Sequence, residues 1–375
     1  MKILVTGAKG FIGKNLIAEL RNRKYEEIYE FDRDTDISLL DFYCSNCDFI
    51  FHLAGVQRPK EEKEFMEGNF GFTSILLDLL KKYRNTCPIV VSSSIQASLD
   101  NPYGKSKKAG EDLMFTYAEE TGAKVMIYRF PNVYGKWNKP NYNSAITTFC
   151  YNISRNLEIK VNCRDTVMHV VYIDDLFDEL ISAMEGKGTK SGKFYRVPVE
   201  DETTLGHIVD LLYSFKESRN NRSIPNMNNH LERSLYSTYL SYLPEDQFGY
   251  LLKMNMNQHS SFTEIIRTLD RGQFSVSISK PGITKGNHWH HTKNEKFLVV
   301  SGHCLIQFRK IDSDEIITYD VSGEKLEVVD IPCGYTHSIT NIGDTDSVTF
   351  MWCNECFDPN HPDTFFLEVK KNEKA

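Results

Sequence analysis

A serine, a tyrosine and a lysine within the run VVSSSIQASLDNPYGKSK have the types and spacing of a proton-transfer site. Tyr103 and Lys107 are four residues apart where a helix is expected to begin, which places both side chains on one helical face. A phenol, with a free pKa of about 10, becomes a useful acid or base near neutral pH if a nearby ammonium favours its phenolate. Ser94, at an expected strand end, can hydrogen-bond the same carbonyl oxygen. The three residues predict a catalytic site that polarises a ketone as a hydride arrives, with Lys107 also holding the nicotinamide ribose. The tyrosine and lysine alone would equally suit a surface helix.

Three glycines directly follow the first apolar run, KILVT, in the pattern G-x-x-G-x-x-G. Gly7, Gly10 and Gly13 let the backbone turn tightly, so that a pyrophosphate can rest on free N–H groups where the next helix begins. Turn-forming glycines alone would be weak evidence, but here strand, spacing and helix agree. The pattern predicts a dinucleotide site.

The end of the second expected strand should decide between NAD and NADP, because an acid there holds the ribose hydroxyls and a base accepts the 2′-phosphate. The sequence has both, as Asp32 and Arg33, and Lys9 adds a cation within the glycine loop. These cations favour NADPH, although Arg33 would also suit a solvated loop. Asp48, at the start of a later apolar run, is predicted to accept a hydrogen bond from adenine, although an exposed polar end of a strand would look the same in the sequence.

Histidines concentrate toward the C-terminus, where 7 of the 11 follow residue 246. In GITKGNHWHHTKNEKFLVVSG, His288 and His290 are two residues apart, so on a strand both point to the same side, and Glu295 can return from the next strand. His337 supplies a fourth ligand. Imidazoles with one carboxylate suit zinc or another divalent first-row metal. The alternative is a set of histidines held by hydrogen bonds in a protein core. His291 should point to the other side, as a base, a supporting residue or an exposed side chain.

The elements expected around these residues fall into two classes. Residues 1–245 alternate apolar strand-like runs with helical periodicity, which predicts an α/β fold with a Rossmann-type, doubly wound parallel sheet. Residues 246–375 contain many short β-type runs separated by glycine and proline, which predicts an all-β sandwich or barrel. The polar stretch 217–234 is expected to pack late in the first domain. We therefore predict a nucleotide-binding domain over 1–245 and a metal-binding domain over 246–375.

Composition narrows the class of protein. A net charge of −7 argues against a broad nucleic-acid surface. No run resembles a signal peptide or a membrane span, so we expect a cytoplasmic protein without membrane contact. The nine cysteines are expected to be free thiols. Cys44 with Cys47 and Cys353 with Cys356 have zinc or redox spacing, but they lie in different predicted domains.

The motifs of residues 1–245 resemble those of the extended short-chain dehydrogenase/reductase superfamily, in its nucleotide-sugar epimerase/reductase branch. The resemblance rests on GAKGFIG, HLAG, SSSIQA, YGKSK, RFPNVYG and VYIDD. It implies that Asn132, together with Ser94 and Tyr103, contacts the substrate. The cofactor contacts predicted for the domain are Gly7, Gly10, Phe11, Ile12, Gly13, Asp32, Arg33, Asp48, Leu53, Ala54, Gly55 and Lys107.

The C-terminal motifs resemble the two cupin motifs, which implies a double-stranded β-helix barrel with His288, His290, Glu295 and His337 as metal ligands. The whole order, reductase then cupin, resembles the bifunctional capsular polysaccharide enzymes that act on UDP-2-acetamido-2,6-dideoxy-hexos-4-ulose. That resemblance implies a homodimer in which the cupin epimerises C3 and the reductase then reduces C4 with NADPH. The product would be UDP-N-acetyl-6-deoxy-L-talosamine, which a later enzyme converts to the L-fucosamine form for surface polysaccharide. Chemistry supports this order, because the C4 ketone acidifies the C3 proton and reduction destroys that ketone.

Two alternative functions also fit the sequence. One is a monofunctional NADPH-dependent 4-keto-sugar reductase whose cupin only binds sugar or stabilises the protein. The other is a redox sensor that binds NADP(H) without turnover, although Ser94, Tyr103 and Lys107 would then have no use.

Overall fold

The computed structural model describes residues 1–268 and 270–370. The chain divides into two compact units, one formed by Met1–Lys216 with Asn228–Glu245 and the other by Glu217–Met227 with Asp246–Ala375. The polar stretch 217–234 is therefore shared between the units, whereas from the sequence we expected it in the first domain. Among the described residues, no helix combines the length and the apolar character needed to cross a membrane.

The first unit alternates strands and helices through most of its length. A π-helical turn over Glu67–Gly71 joins the third and fourth helices, and a 3-10 turn over Ile95–Ser98 follows the fourth strand. Helix α8 continues from the first unit into the second. The elements are β1 (Ile3–Thr6), α1 (Phe11–Asn22), β2 (Ile28–Phe31), α2 (Ile37–Asn46), β3 (Phe49–His52), α3 (Lys63–Met66), α4 (Phe72–Tyr83), β4 (Ile89–Ser94), α5 (Pro102–Thr121), β5 (Val125–Phe130), β6 (Asn132–Tyr134), α6 (Ala145–Ser154), β7 (Val167–Tyr172), α7 (Ile173–Met184), β8 (Lys190–Ser191), β9 (Phe194–Tyr195), β10 (Asp201–Thr204), α8 (Leu205–Asn221) and α9 (His230–Leu240).

Seven strands form the main sheet in the order β2-β1-β3-β4-β5-β9-β8, parallel except for β8. Buried apolar side chains cover both faces, with α1 and α7 contributing to one cluster and α2, α4 and α5 to the other. The strand order reverses at β1, because β2 lies on one side of it and β3 on the other. A crevice beyond the carboxyl ends of β1 and β3 is where such sheets bind ligands. The predicted doubly wound parallel sheet is confirmed.

A smaller sheet of β10, β7 and β6 supports the remaining helices of the first unit. Its apolar residues form one buried cluster with residues of α6, α8 and α9. The cluster fixes β6, the strand that begins with Asn132.

Helix α5 begins at a well-defined N-terminal cap. The Asn101 side chain accepts a hydrogen bond from Gly104 N at 2.8 Å, and Pro102 occupies the first turn. The helix ends at Gly122, whose φ is +73°. These signals place Tyr103 in the first turn and Lys107 one turn later.

The second unit is built from antiparallel strands, as predicted for an all-β domain. They form one sheet in the order β11-β12-β13-β20-β15-β18 and another in the order β17-β16-β19-β14-β21. Phe297 and Val299 of one sheet belong to the same buried cluster as Ile306 and Phe308 of the other. The strands are β11 (Asn255–Met256), β12 (Ser260–Thr268), β13 (Gly272–Ser279), β14 (Thr284–Trp289), β15 (Glu295–Ser301), β16 (His303–Lys310), β17 (Ile316–Ser322), β18 (Val328–Ile331), β19 (Tyr335–Asn341), β20 (Ser347–Cys353) and β21 (Phe365–Phe366).

Candidate active site and metal centre

The glycine loop joins the carboxyl end of β1 to the first turn of α1. A Cβ atom at Gly13 would lie 2.1 Å from the carbonyl oxygen of Gly7, so only glycine allows the helix to pack this closely on the loop. Phe11 and Ile12 open the helix and pack, partly buried, on the core. The loop therefore presents backbone N–H groups at a helix N-terminus, as a pyrophosphate site requires.

Asp32 follows β2, and its carboxylate accepts hydrogen bonds from two backbone N–H groups. Its two oxygens accept hydrogen bonds from Lys9 N at 2.8 Å and from Arg33 N at 2.9 Å. The ammonium of Lys9 pairs with Asp34 at 2.5 Å. Within residues 1–268 and 270–370, the Arg33 guanidinium forms no ion pair and is exposed. Arg33 can therefore offer its charge to a ligand at this edge.

Asp48 does not lie at this edge. It precedes β3 and accepts a hydrogen bond from Lys2 N at 2.7 Å, at the amino end of the parallel strands. The glycine loop lies at the carboxyl end, so the predicted adenine contact is wrong. An apolar run does not reveal which end of the strand its flanking acid occupies relative to the loop.

Leu53, Ala54 and Gly55 follow β3 and continue along the same edge. Leu53 N donates to Thr6 O at 3.2 Å, and Ala54 N donates to Thr6 Oγ1 at 3.4 Å. A Cβ atom at Gly55 would lie 2.9 Å from Nζ of Lys107. The cofactor edge of the sheet and the predicted catalytic lysine are therefore adjacent.

Ser94, Tyr103 and Lys107 lie together where β4 ends and α5 begins. Ser94 is 9% exposed, and its hydroxyl is near enough to the phenol of Tyr103 to affect the pKa of that phenol. Lys107 Nζ donates to Ser92 O at 3.0 Å. The Tyr103 ring packs on Phe65, with ring centroids 5.7 Å apart. The structure therefore brings the three predicted residues into one site.

The electrostatics of this site differ from our expectation that Lys107 would favour a phenolate. Burial raises the pKa of Tyr103, and the Ser94 hydroxyl only partly opposes that rise. Burial also lowers the pKa of Lys107 to about 8, with Glu111 opposing. Loss of hydration is the largest cause of both pKa shifts, because both groups are removed from water. At neutral pH the phenol keeps its proton, so the site presents an acid.

Two supporting residues were not predicted from the sequence. Asn69, in the π-helical turn, accepts from Val56 N at 2.9 Å and donates to Ser106 Oγ at 2.9 Å, and Ser106 in turn donates to Tyr103 O. Glu111 is four residues after Lys107 on the same helix and is 2% exposed. The spacing of Tyr103, Lys107 and Glu111 was a usable signal, whereas a π-helical turn has no simple sequence pattern.

Asn132, the predicted substrate contact, opens β6. Its Nδ2 donates to His169 O at 3.2 Å, and the residue is exposed. It is therefore accessible to a ligand, while its strand is anchored by the register with β7.

The four predicted metal ligands lie together in the second unit. One donor atom from each of His288, His290, Glu295 and His337 lies within 4.8 Å of all the others. His288 of β14 is in register with His337 of β19, and Glu295 opens β15. A β-bulge at Asn287, whose φ is +55°, directly precedes His288 in β14, and His290 follows the end of that strand.

The polar atoms of this cluster are buried without hydrogen-bond partners among the described residues. They are Nε2 of His290, Oε2 of Glu295 and both ring nitrogens of His337. Glu295 Oε2 lies 3.4 Å from His337 Nε2 and 3.7 Å from His290 Nε2. Unpaired buried polar atoms cost free energy, which a shared divalent cation would recover. The donor set therefore fits zinc or another first-row divalent metal.

Two of the clustered groups, His288 and Glu295, have pKa shifts that favour their metal-binding forms. By contrast, although burial opposes this, Glu295 and the Asp363 carbonyl raise the pKa of His290. Burial and the neighbouring histidines lower the pKa of His288 to about 4, so its ring is neutral at pH 7. Burial opposes ionisation of Glu295, yet the adjacent rings of His290 and His337 lower the pKa of this carboxyl below its usual range. Neutral imidazole and ionised carboxylate are the forms that bind metal.

His291 does not belong to this cluster. Its ring packs against Trp289 and Phe365, with centroids 4.5 and 5.0 Å away, and the residue is exposed.

All nine cysteines are free, as predicted. Cys47 lies 3.8 Å from Cys87 rather than against Cys44.

Family comparisons divide the chain in the same way. Residues 3–197 match the NAD dependent epimerase/dehydratase family, and residues 255–365 match the polysaccharide biosynthesis C-terminal domain. The chain is 42% identical over 369 residues to a UDP-2-acetamido-2,6-beta-L-arabino-hexul-4-ose reductase of Pseudomonas aeruginosa, covering 98% of this chain and 99% of the relative.

Solved structures have a similar fold over nearly the whole chain. The capsular polysaccharide assembling protein CapF from Staphylococcus aureus superposes with a TM-score of 0.94 at 57% identity, covering 98% of this chain and 100% of that one. CapF with the inhibitor 3-isopropenyl-tropolone superposes with a TM-score of 0.89 at 53% identity and the same coverage.

Proposed function

Because the chain belongs to the NAD dependent epimerase/dehydratase family and ends in a polysaccharide biosynthesis C-terminal domain, we propose that it is a bifunctional nucleotide-sugar enzyme. The second unit would epimerise C3 of UDP-2-acetamido-2,6-dideoxy-hexos-4-ulose. The first unit would then reduce the C4 ketone with NADPH to UDP-N-acetyl-6-deoxy-L-talosamine, for capsular or surface polysaccharide. The P. aeruginosa relative, named as a reductase of a UDP-4-keto sugar, supports the substrate class.

The reductive step rests on one observation: Ser94, Tyr103 and Lys107 meet beside Gly55, at the cofactor edge of the sheet. A bound nicotinamide cofactor would supply a hydride to C4. Tyr103 donates its proton to the C4 oxygen, since its raised pKa keeps the phenol protonated at neutral pH. Ser94 hydrogen-bonds the same oxygen and orients the ketone. Lys107 holds the nicotinamide ribose.

The surroundings of Asp32 support the proposal of NADPH rather than NADH. Because its carboxylate already accepts two backbone hydrogen bonds, it is poorly placed to hold ribose hydroxyls. Arg33 is exposed beside it and can receive a 2′-phosphate.

The epimerising step is assigned to the cluster of His288, His290, Glu295 and His337, within a cupin barrel. A bound zinc or similar ion would act as a Lewis acid toward the oxygen that gains charge when C3 loses its proton. The residues would hold that ion through three imidazole nitrogens and one carboxylate oxygen. His291 is a weak candidate for the base, because its ring packs against Trp289 and Phe365.

The test separates the two activities. The full chain is incubated in heavy water with the UDP-4-keto-6-deoxy sugar, first without NADPH, and deuterium at C3 is followed by NMR before the cofactor is added. Uptake at C3 followed by NADPH-dependent reduction supports both steps. Tyr103→Phe is the matched control, since it should keep the exchange and lose the reduction. Reduction without exchange would leave a monofunctional reductase with a binding or structural second unit.

The homodimer is proposed from the same resemblance, and the cytoplasmic location is the expectation drawn from the sequence. Light scattering on the purified full chain tests the first, with twice the chain mass expected. Cell fractionation tests the second.

A further inference from the structure

Asp363 lies beyond β20, in the segment that leads to β21. Its φ is +39°, in the left-handed region that residues other than glycine rarely adopt. A backbone held there requires compensating contacts. Those contacts are made with the segment that carries two of the four clustered residues.

The carboxylate of Asp363 caps the turn between His290 and Glu295. Oδ1 accepts from His291 N at 3.0 Å, and Oδ2 accepts from Thr292 N and from Lys293 N, each at 2.9 Å. Three consecutive backbone N–H groups are thus satisfied by one side chain. The turn that separates the ligand strands β14 and β15 is held by a residue 70 or more positions away.

The main-chain oxygen of the same residue accepts a hydrogen bond from Nδ1 of His290, at 2.5 Å. A carbonyl oxygen can only accept, so Nδ1 must carry the ring proton. The Nε2 atom of neutral His290 then offers its lone pair on the side of Glu295, from which it lies 3.7 Å away. One hydrogen bond therefore fixes both the tautomer and the direction of the ring.

The residues that follow anchor Asp363. Strand β21 pairs with β14, with Phe366 opposite His288. Leu367 N donates to Asn287 O at 2.9 Å, and Arg309 Nε donates to Val369 O at 2.9 Å. The segment is fixed on both β14 and β16 of the same sheet.

We propose that Asp363 is the positioning residue of the metal centre. Its carboxylate holds the turn 291–293, and its carbonyl holds His290 as a neutral ligand with Nε2 facing the ion. This inference rests on the proposed binding of a metal by the four clustered residues. It predicts that metal affinity depends on a side chain that does not touch the ion.

The test compares Asp363→Ala, Asp363→Asn and Asp358→Ala in the full chain. Asp358 belongs to the same segment, but it binds Asn360 N and His361, away from the ligands. Zinc affinity is measured by competition with a chromogenic chelator. The absorption spectrum of the cobalt-loaded protein reports the ligand geometry, and NADPH binding checks the first unit.

Asp363→Ala should weaken zinc binding about 10- to 100-fold, as the loss of an outer partner of a ligating histidine does, and should alter the cobalt spectrum. Asp363→Asn should recover part of the affinity, because its amide oxygen can still accept from Thr292 N and Lys293 N while its NH2 group cannot accept from His291 N. Asparagine also tolerates a left-handed backbone. Asp358→Ala should stay within about twofold, as expected of a surface change. If Asp363→Ala prevents folding of the second unit, the zinc affinity and cobalt spectrum of Asp363→Asn are compared with those of wild type instead.

Wild-type affinity and an unchanged cobalt spectrum in Asp363→Ala would overturn the proposal. So would an equal loss in Asp358→Ala, because the effect would then belong to the whole segment. A wild-type chain that binds no metal would be a different result, directed against the proposed metal centre itself.

Discussion

Oε1 of Glu111 accepts a hydrogen bond from Ser93 Oγ at 2.6 Å. This hydrogen bond joins α5, which carries Tyr103 and Lys107, to the end of β4, which carries Ser94. Arg129 completes it by donating to both oxygens of Glu111, at 2.8 and 2.6 Å. The relative position of the three proposed catalytic residues thus depends on a buried carboxylate outside the site.

Glu111→Gln should lower the free energy of unfolding of the first unit by about 3 kcal/mol, since removing one partner of a buried ion pair leaves the other uncompensated. It should also lower kcat, because Ser94 and Tyr103 lose their fixed separation. Urea unfolding and steady-state reduction measure the two effects. Glu120→Gln is the control, because Glu120 lies on the same helix as Glu111 and forms an exposed ion pair with Lys81 of α4. This variant should change stability and kcat little. Equal effects of the two changes would contradict this role for Glu111.

Much of the architecture could be predicted from local signals. The alternation of apolar strands with amphipathic helices, and glycines at a strand-to-helix turn, suffice for a doubly wound sheet. The spacing of His288 and His290 on one strand needs no tertiary information, because alternation puts both on the same side.

The remaining features depend on residues distant in the sequence. The place of Asp48 depends on which end of β3 faces the glycine loop. Asn69 acts from an irregular helical turn, and Asp363 acts on His290, 73 residues away, through a main-chain oxygen that has no sequence signature. The direction of the Tyr103 pKa shift could not be derived from the Y-x-x-x-K pattern, because it depends on burial.

Tyr103→Phe should lower kcat for ketone reduction about 10²- to 10⁴-fold, the usual contribution of a positioned acid. The ring packing on Phe65 is kept, so the fold should not change. Stopped-flow measurement of NADPH oxidation gives the rate. Fluorescence titration should give an NADPH affinity within about twofold of wild type, because the phenol proton acts only in the transition state. A variant that keeps a tenth or more of the wild-type rate would remove Tyr103 as the acid.

The pH dependence of stability should show the burial of Lys107. Its pKa in the folded protein is about 8, below the ordinary 10.5, so the unfolded chain binds this proton more tightly. Between these values the unfolded state carries more protons, and the contribution of Lys107 to stability rises with pH. Below pH 8 Lys107 is protonated in both the folded and the unfolded state, so burial of its charge lowers the free energy of unfolding by the full desolvation cost.

Urea unfolding at pH 7.5, 8.5 and 9.5 would test this against Lys107→Met. The stability of wild type relative to the variant should increase across that range. Lys105→Met is the control, because Lys105 is exposed on the same helix and pairs with Asp100. A difference between wild type and Lys107→Met that does not change with pH would contradict the assigned burial.

Arg33→Ser should shift the cofactor preference toward NADH. A hydrogen bond to a charged group is worth about 1.5–3 kcal/mol, so the ratio of kcat/KM for NADPH over NADH should fall about tenfold or more. Arg21→Ser, at the far end of α1 in an ion pair with Glu30, should leave the ratio unchanged. The preference for NADPH would have another source if both variants kept the wild-type ratio.

Adjacent histidines offer a matched pair for the metal centre. His290→Ala removes one of the four clustered donors, so metal content should fall and C3 exchange should be lost, while NADPH binding by the first unit stays intact. His291→Ala removes a ring that packs on Trp289 and Phe365 outside the cluster, and should keep both metal and exchange. Elemental analysis of the purified variants and NMR in heavy water measure the two properties. Loss of exchange in His291→Ala with the metal retained would instead make His291 the base. Loss of NADPH binding in His290→Ala would contradict the independence of the two sites.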